Sequence, residues 1–188
     1  MAYFPAFLKL DEIDILIVGG GAIATEKVEK LLEFTDKLTI IAPQLSRQMQ
    51  DYIHAQALSY HDRAYQEGDI KAYGVVIIAV DDIPLQASIY EESRQYRCFC
   101  NAVDSVDYCD FIFPSFVKKD ALTVAVSTSG TSPAFAKHFR RYLEGVIPEG
   151  VATFLEEMKA LRSTMPKGKE RMEFLDKKAK AYIESWKA

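Results

Sequence analysis

The stretch Asp14-Ile-Leu-Ile-Val18-Gly19-Gly20-Gly21-Ala22-Ile23-Ala24 decides the fold of this chain. Its first half is a short, continuous apolar run rich in β-branched residues and closed at once by glycine. It reads as a strand buried on both faces. The second half matches G-x-G-x-x-A. Gly19 permits a tight turn out of the strand, Gly21 lets the backbone approach a pyrophosphate, and Ala24 is small where a helix packs on a sheet. Ala22 to Phe34 then reads as a helix. Val28, Leu31 and Leu32 form its apolar stripe, while Glu26, Lys27, Glu29, Lys30 and Glu33 lie largely off it. The helix start offers N–H groups and a positive dipole end to phosphates. Glycines alone are weak evidence; between a buried strand and an amphipathic helix they predict a dinucleotide site at Gly19 and Gly21.

Outward from this turn the pattern repeats. Leu38 to Ile41 reads as a strand stopped by Pro43, residues 44–56 as a helix, and 58–65 as ambiguous. Val75 to Val80 is a further buried strand, followed by Asp81-Asp82 and a helix to about Tyr96. Cys98 to Asn101 and Phe111 to Phe113 read as strands. Alternating strands and helices predict an α/β fold with a parallel, doubly wound sheet. After Pro114 the character changes. Leu122 to Ser127 is one more strand, leading into the hydroxyl-rich Ser127-Thr-Ser-Gly-Thr-Ser-Pro133. Ser132-Pro133 is a helix start, and that helix carries Phe135, Phe139, Tyr142 and Leu143 on one face before stopping near Gly145 and Pro148. Val151 to Ala188 is helical and charged, broken at Pro166-Lys-Gly168.

With 188 residues, 49% hydrophobic and 27% charged, the chain has the balance of a soluble globular protein. A net charge of −4 argues against a nucleic-acid-binding surface. Cys98, Cys100 and Cys109 are odd in number and lack a disulfide framework. Cys98 and Cys100, one residue apart, share a strand face and read as a buried reduced pair. His54, His61 and His138 are scattered, so no metal site is expected. Met1 to Leu10 has no signal-peptide pattern and no apolar run is long enough for a membrane helix, so a cytoplasmic location is expected.

One expected element is missing. The second strand ends Ile41-Ala42-Pro43-Gln44, without the acid that usually holds the adenosine ribose. Gln44 or Ser46 could bind ribose hydroxyls; Arg47 could meet a 2′-phosphate or simply face solvent. Asp104, after the strand that ends at Asn101, falls at the carboxyl edge of the sheet, where ligands bind. It is a candidate general base, an Asx turn or cap being the alternative. Asp81-Asp82 has the same ambiguity, with capping favoured. Hydroxyls from Ser127 to Ser132, a helix N-terminus and the nearby Lys137, His138, Arg140 and Arg141 suit a carboxylate-rich ligand; a capped helix with a solvated basic face is the plainer reading.

Taken in order, Val18-Gly-Gly-Gly21, Cys100-Asn-Ala-Val-Asp104, Phe111-Ile-Phe-Pro-Ser115 and Val124-Ala-Val-Ser-Thr-Ser-Gly-Thr-Ser-Pro133 resemble the precorrin-2 dehydrogenase family. Some of its members are also sirohydrochlorin ferrochelatases, and the same module begins the fused siroheme synthases. The resemblance runs from about Phe4 to Pro148. It implies a Rossmann-type NAD-binding domain (residues 1–113), a central dimerisation region (114–147) and a small C-terminal helical domain (148–188). It also implies a homodimer that oxidises precorrin-2 to sirohydrochlorin with NAD, and in bifunctional members takes ferrous ion as a further substrate. Asp104 matches the family's catalytic aspartate. Ala22-Ile23 and Ala42-Pro43 fall where the family contacts NAD, and Val80, Asp81, Asn101 and Val103 are assigned to the cofactor with them. Ser127 aligns with the family's hydroxyl-loop serine. With Thr128, Thr131, Ser132, Lys137, Arg140 and Arg141 it is assigned to the substrate's carboxylates. The chain ends before any methyltransferase domain, so synthesis of precorrin-2 itself is not expected. Two other readings stand beside this one: a dehydrogenase without chelatase activity, and a non-catalytic NAD-sensing module, which would need neither the Asn-x-Val-Asp segment nor the hydroxyl loop.

Overall fold

β1 (Ile15–Val18) is buried along its whole length because it lies mid-sheet with a strand on either side. In the computed structural model, which describes residues 3–186, it pairs in parallel with β2 (Leu38–Ile41) and β4 (Val75–Ile78). Ile15 lies opposite Leu38 and Val75, and Val18 opposite Ile41 and Ile78. β3 (Ser59–His61) adds to β2 and β5 (Phe99–Ala102) to β4, so the parallel order is β3-β2-β1-β4-β5. This is the expected Rossmann-type sheet. The chain runs outward from β1 to β3 and then returns to the other side of β1, so the connections at the carboxyl ends of β1 and β4 diverge and leave a crevice.

Three helices make the crossovers. α1 (Ala22–Leu32) buries Ala24, Thr25, Val28 and Leu31. α2 (Arg47–Gln56) is capped by Ser46, whose hydroxyl accepts from the Met49 N–H at 3.1 Å. α3 (Ile83–Tyr96) is capped by Asp82, which accepts from the Leu85 N–H at 2.9 Å, so the capping role foreseen for the Asp81-Asp82 pair falls to its second member. Leu16, Val18, Val76, Ile78, Ile89, Cys98 and Cys100 belong to one buried apolar cluster. Each large aliphatic side chain in it contributes roughly 1.5–3 kcal/mol by leaving water. Cys98 and Cys100 are buried, unbridged thiols, as their alternation predicts.

The described chain divides into two compact units, residues 3–112 and 113–186. In the second, β6 (Ser115–Lys119) and β7 (Leu122–Val126) form an antiparallel hairpin, followed by α4 (Pro133–Val146), α5 (Val151–Thr164) and α6 (Lys169–Ser185). Val117, Ile147 and Val151 make its core, with Leu122, Leu143, Tyr182 and Trp186 packed around them. The break between the last two helices comes at Pro166 to Gly168, as the sequence predicts.

The strand expected at Phe111 to Phe113 does not form; the next strand is β6, which begins at Ser115. The partners it would need are already taken. The Asp110 carboxylate accepts the Cys100 N–H at 2.8 Å, and the Asn101 amide donates to the Phe111 carbonyl at 2.8 Å. Side chains thus satisfy groups that a ladder would use, and Pro114 has no N–H to offer one. The ends of the sequence-based ranges, residues 1–2 and 187–188, lie outside the described residues. Among the described residues no helix is long and apolar enough to cross a membrane.

Candidate functional site

The glycine turn is shaped by what surrounds each residue. Gly19 has φ +120°, and a Cβ there would sit 2.3 Å from the Ala79 carbonyl oxygen. Gly20 is equally confined, its would-be Cβ 2.2 Å from the Gln44 carbonyl oxygen. Beside Gly21 there is nothing within 4 Å. Two of the glycines therefore let backbones touch, and the third faces open space where a ligand can approach. The first helical bond of α1 runs from the Thr25 N–H to the Gly21 carbonyl at 3.0 Å. The N–H groups of Ala22, Ile23 and Ala24 lie ahead of that ladder, and no side chain caps them. A pair missed in the sequence locks the turn. The Thr25 hydroxyl donates to the Gly21 carbonyl at 2.8 Å and lies 2.8 Å from the Ser46 hydroxyl. Ser46, a candidate for ribose, is thus engaged with Thr25 and with its helix cap.

At the end of β2, Ala42 is buried and Pro43 exposed. The Ala42 carbonyl accepts the Tyr60 phenol at 2.9 Å. Gln44 lines a groove with Tyr60 and Asp62 from the neighbouring β3 end, whereas Arg47 is exposed at the first position of α2.

The ends of β4 and β5 are tied together by a side chain that sequence reasoning missed. Gln86 of α3 is 2% exposed. Its amide nitrogen donates to the Val80 carbonyl at 2.8 Å and reaches the Val103 carbonyl at 3.4 Å, and its oxygen accepts the Ser105 hydroxyl. Asp104 stands between the last two of these partners, in the left-handed region at φ +61°. Aspartate tolerates that conformation better than most residues. Among the described residues its exposed carboxylate makes no Asx-turn or capping bond; Ser105, not Asp104, precedes the following single helical turn (Val106–Tyr108). Lys27 of α1 faces Asp104 and Cys109 electrostatically, and burial holds its ammonium below the ordinary lysine range. Val80 is half-buried and Asp81 exposed.

Asn101 is buried and its amide is engaged with Phe111 and, at 3.5 Å, with the Cys109 sulfur. Cys109 donates to the Ala102 carbonyl at 3.1 Å. Arg94 grips Asp110 with both guanidinium nitrogens and lies 4.6 Å from the Tyr90 ring centre. Sequence spacing offered no signal for Gln86 or Arg94, because both act from a helix on loops far along the chain.

In the second unit the hydroxyl loop closes largely on itself. Ser127 accepts the Ser129 N–H and Thr128 the Ser132 N–H, both at 3.0 Å, and Ser132 caps α4 by accepting from Phe135 at 3.2 Å. Thr131, Lys137 and Arg141 are exposed, while Arg140 pairs with Glu144. Phe135, Phe139 and Tyr142 stack along one exposed face of α4. Among the described residues no three histidine, cysteine, aspartate or glutamate side chains come together as a metal site.

Comparison with known proteins agrees with this geometry. The family described as "Putative NAD(P)-binding" matches residues 6–115, more than half of the chain. The family described as "Sirohaem biosynthesis protein central" matches residues 119–145. The chain belongs to this NAD(P)-binding family. The siroheme synthase of Pseudoalteromonas atlantica is 32% identical over 165 residues, covering 88% of this chain and 36% of that protein. That of Nitrosococcus oceani is 35% identical over 149 residues, covering 79% and 32%. The chain thus spans about a third of the length of the curated relatives it matches. The solved structure of "SirC, precorrin-2 dehydrogenase" shares the fold, with a TM-score of 0.76 and 22% identity over 93% of this chain and 88% of its own. A dinucleotide, the ligand of this NAD(P)-binding family, fits the glycine turn on structural grounds. The open space at Gly21 would disappear with a larger side chain, and the uncapped N–H groups of α1 are donors suited to a pyrophosphate.

Proposed function

We propose that this chain oxidises precorrin-2 to sirohydrochlorin with NAD, as part of siroheme biosynthesis. The observation that carries the reading is Asp104, an exposed carboxylate that makes no hydrogen bond among the described residues, held in a left-handed turn of the same unit as the glycine turn. NAD, when bound, supplies the two-electron acceptor and leaves as NADH. Gly21, Ala22 and Ile23 would hold its pyrophosphate through backbone N–H groups, with Gly19, whose own N–H donates to the Ile41 carbonyl at 2.9 Å, shaping the turn beside it. Ala42 and Pro43 would flank the adenosine, with Val80, Asp81 and Val103 along the remaining edge. Asn101 would act by shaping that edge, since its amide is engaged with Phe111.

Loss of a hydride from the macrocycle must be coupled to loss of a proton from the same macrocycle, so that two hydrogens leave in all. Asp104 would accept that proton at a carboxylate oxygen and pass it to solvent, to which it is open.

The substrate's carboxylates call for cations and hydroxyl donors. Lys137, Arg140 and Arg141, with Ser127, Thr128, Thr131 and Ser132, are proposed to bind them. The stacked aromatic face of α4 supports a homodimer formed through residues 114–147. The division into a cofactor domain (1–113), a dimerisation region (114–147) and a helical domain (148–188) belongs to the same proposal, as does a cytoplasmic location. Iron insertion into sirohydrochlorin needs pyrrole protons removed, a task within reach of the same carboxylate, with ferrous ion as substrate.

The test is anaerobic incubation of the protein with freshly made precorrin-2 and NAD, followed by absorption spectra and then by addition of ferrous ion. Sirohydrochlorin should appear only with both protein and NAD. Binding of NAD without turnover of precorrin-2 would favour the sensing module instead.

A further inference from the structure

The acid missing from the end of β2 has a counterpart that only the sheet reveals. A groove of about 670 Å³ opens there, lined by Pro43, Gln44, Ile53, His54, Tyr60 and Asp62 among others. It adjoins the glycine turn. The Gln44 carbonyl oxygen crowds Gly20, and the Ser46 N–H donates to the Gly20 carbonyl at 2.8 Å. The β3 end is fastened alongside, since the Ala42 N–H donates to the His61 carbonyl at 3.3 Å and the Tyr60 phenol to the Ala42 carbonyl at 2.9 Å. Asp62 follows His61 directly, so parallel pairing delivers its carboxylate to the place where a Rossmann domain receives the adenosine ribose.

We infer that Asp62 selects NAD over NADP, by accepting the ribose hydroxyls at this groove and repelling a 2′-phosphate. The inference rests on the reading that the dinucleotide binds at the glycine turn. An ionised carboxylate is an acceptor only, matched to two hydroxyl donors and opposed to a phosphate carrying up to about two negative charges. The charges around it leave it unopposed. Arg63, next in sequence, is turned to Asp69 through two hydrogen bonds of 2.7 and 2.8 Å. Arg47 does not line the groove. His54 is the groove's imidazole, and on Tyr60 partial burial and then Asp62 hold the phenol above its ordinary range, so that it stays a donor.

The test is calorimetric titration of the full chain with NAD and with NADP at about pH 8. The wild type should bind NAD more tightly than NADP by about tenfold or more, the size of one contact between like charges near a surface. Asp62→Asn should bring the two affinities within about threefold of each other, chiefly by improving NADP. Asp62→Arg should reverse the preference. Melting temperatures should stay at the wild-type value, since Asp62 is exposed. A preference unmoved by both substitutions overturns the inference alone. A wild type that prefers NADP, with the preference removed by Arg47→Ala, also overturns it and assigns the site to Arg47. A wild type that binds neither dinucleotide overturns the underlying reading as well.

Discussion

At the carboxyl end of β1 the chain turns on three glycines packed against main-chain carbonyls, with one hydroxyl pair, Thr25 and Ser46, beside them, whereas at the carboxyl end of β5 it turns at Asp104 and is held mainly by side chains. The first turn has little room for a side chain: Gly19 and Gly20 each meet a carbonyl oxygen where a Cβ would be. The second is a small network in which Gln86, Asn101, Cys109 and the Arg94–Asp110 pair fasten the backbone around one unbonded carboxylate. The difference teaches how two tasks are divided. A phosphate cradle needs main-chain N–H groups at close range, so it removes side chains. A general base needs one side chain at a set position, so others are recruited to hold its backbone.

The comparison can be broken most forcefully at Asp104. Asp104→Asn should lower kcat for precorrin-2 oxidation by roughly 10²–10⁴-fold, the usual range for loss of a general base, with NAD affinity unchanged by titration. Near-normal turnover would remove Asp104 from the mechanism.

The glycine turn itself should split into two behaviours. Gly19→Ala places a Cβ against the Ala79 carbonyl at a positive φ, and chemical denaturation should register a loss of about 2–4 kcal/mol. Gly21→Ala meets no protein atom and should leave stability within about 0.5 kcal/mol, while weakening NAD tenfold or more. Equal effects of the two on stability would erase the distinction between packing glycine and ligand-facing glycine.

Gln86→Leu leaves the Ser105 hydroxyl and two carbonyls without their partner. It should cost about 1–3 kcal/mol in a urea titration. Because Gln86 holds the backbone on both sides of Asp104, kcat should fall as well, with the NAD dissociation constant moving less. A stability loss with kcat intact would make the β5 network a fold device only.

The smallest effect is expected at the thiols under β5. Burial pushes the Cys98 thiol up to about 12 and raises Cys100 further still. Their folded-state pKa values lie above the ordinary thiol value of about 8.5, so their contribution is complete below that pH. It is then lost as pH rises from there towards 12. Denaturation midpoints should be flat to about pH 8 and decline above it, less steeply in Cys98→Ala. Native protein should resist thiol reagents at both positions. Rapid labelling would show that β5 opens more readily than β1.

Much of the fold could be read from local pattern. The run Ile15 to Val18, the glycines after it and the spacing of Val28 and Leu31 each obey a short-range rule, and the sheet and α1 follow from them. Ser132 and Asp82 were legible as caps for the same reason. The strand expected at 111–113 failed because Asp110 and Asn101 had already satisfied the backbone groups it needed, a competition between side chain and ladder that apolar composition does not encode. Asp104 was legible as a candidate from its place at a strand end, but its lack of a structural bond was not.

By itself, then, the sequence determined where the chain turns, which faces are apolar and which backbone can approach a phosphate, because these depend on neighbours within a few residues. The tertiary structure decided which distant groups meet: Thr25 with Ser46, Gln86 with Val80, Val103 and Ser105, and Asp62 with the end of β2. Parallel pairing joins residues separated by a whole crossover, so the partner of a strand end depends on sheet order and register, which no local stretch of sequence carries.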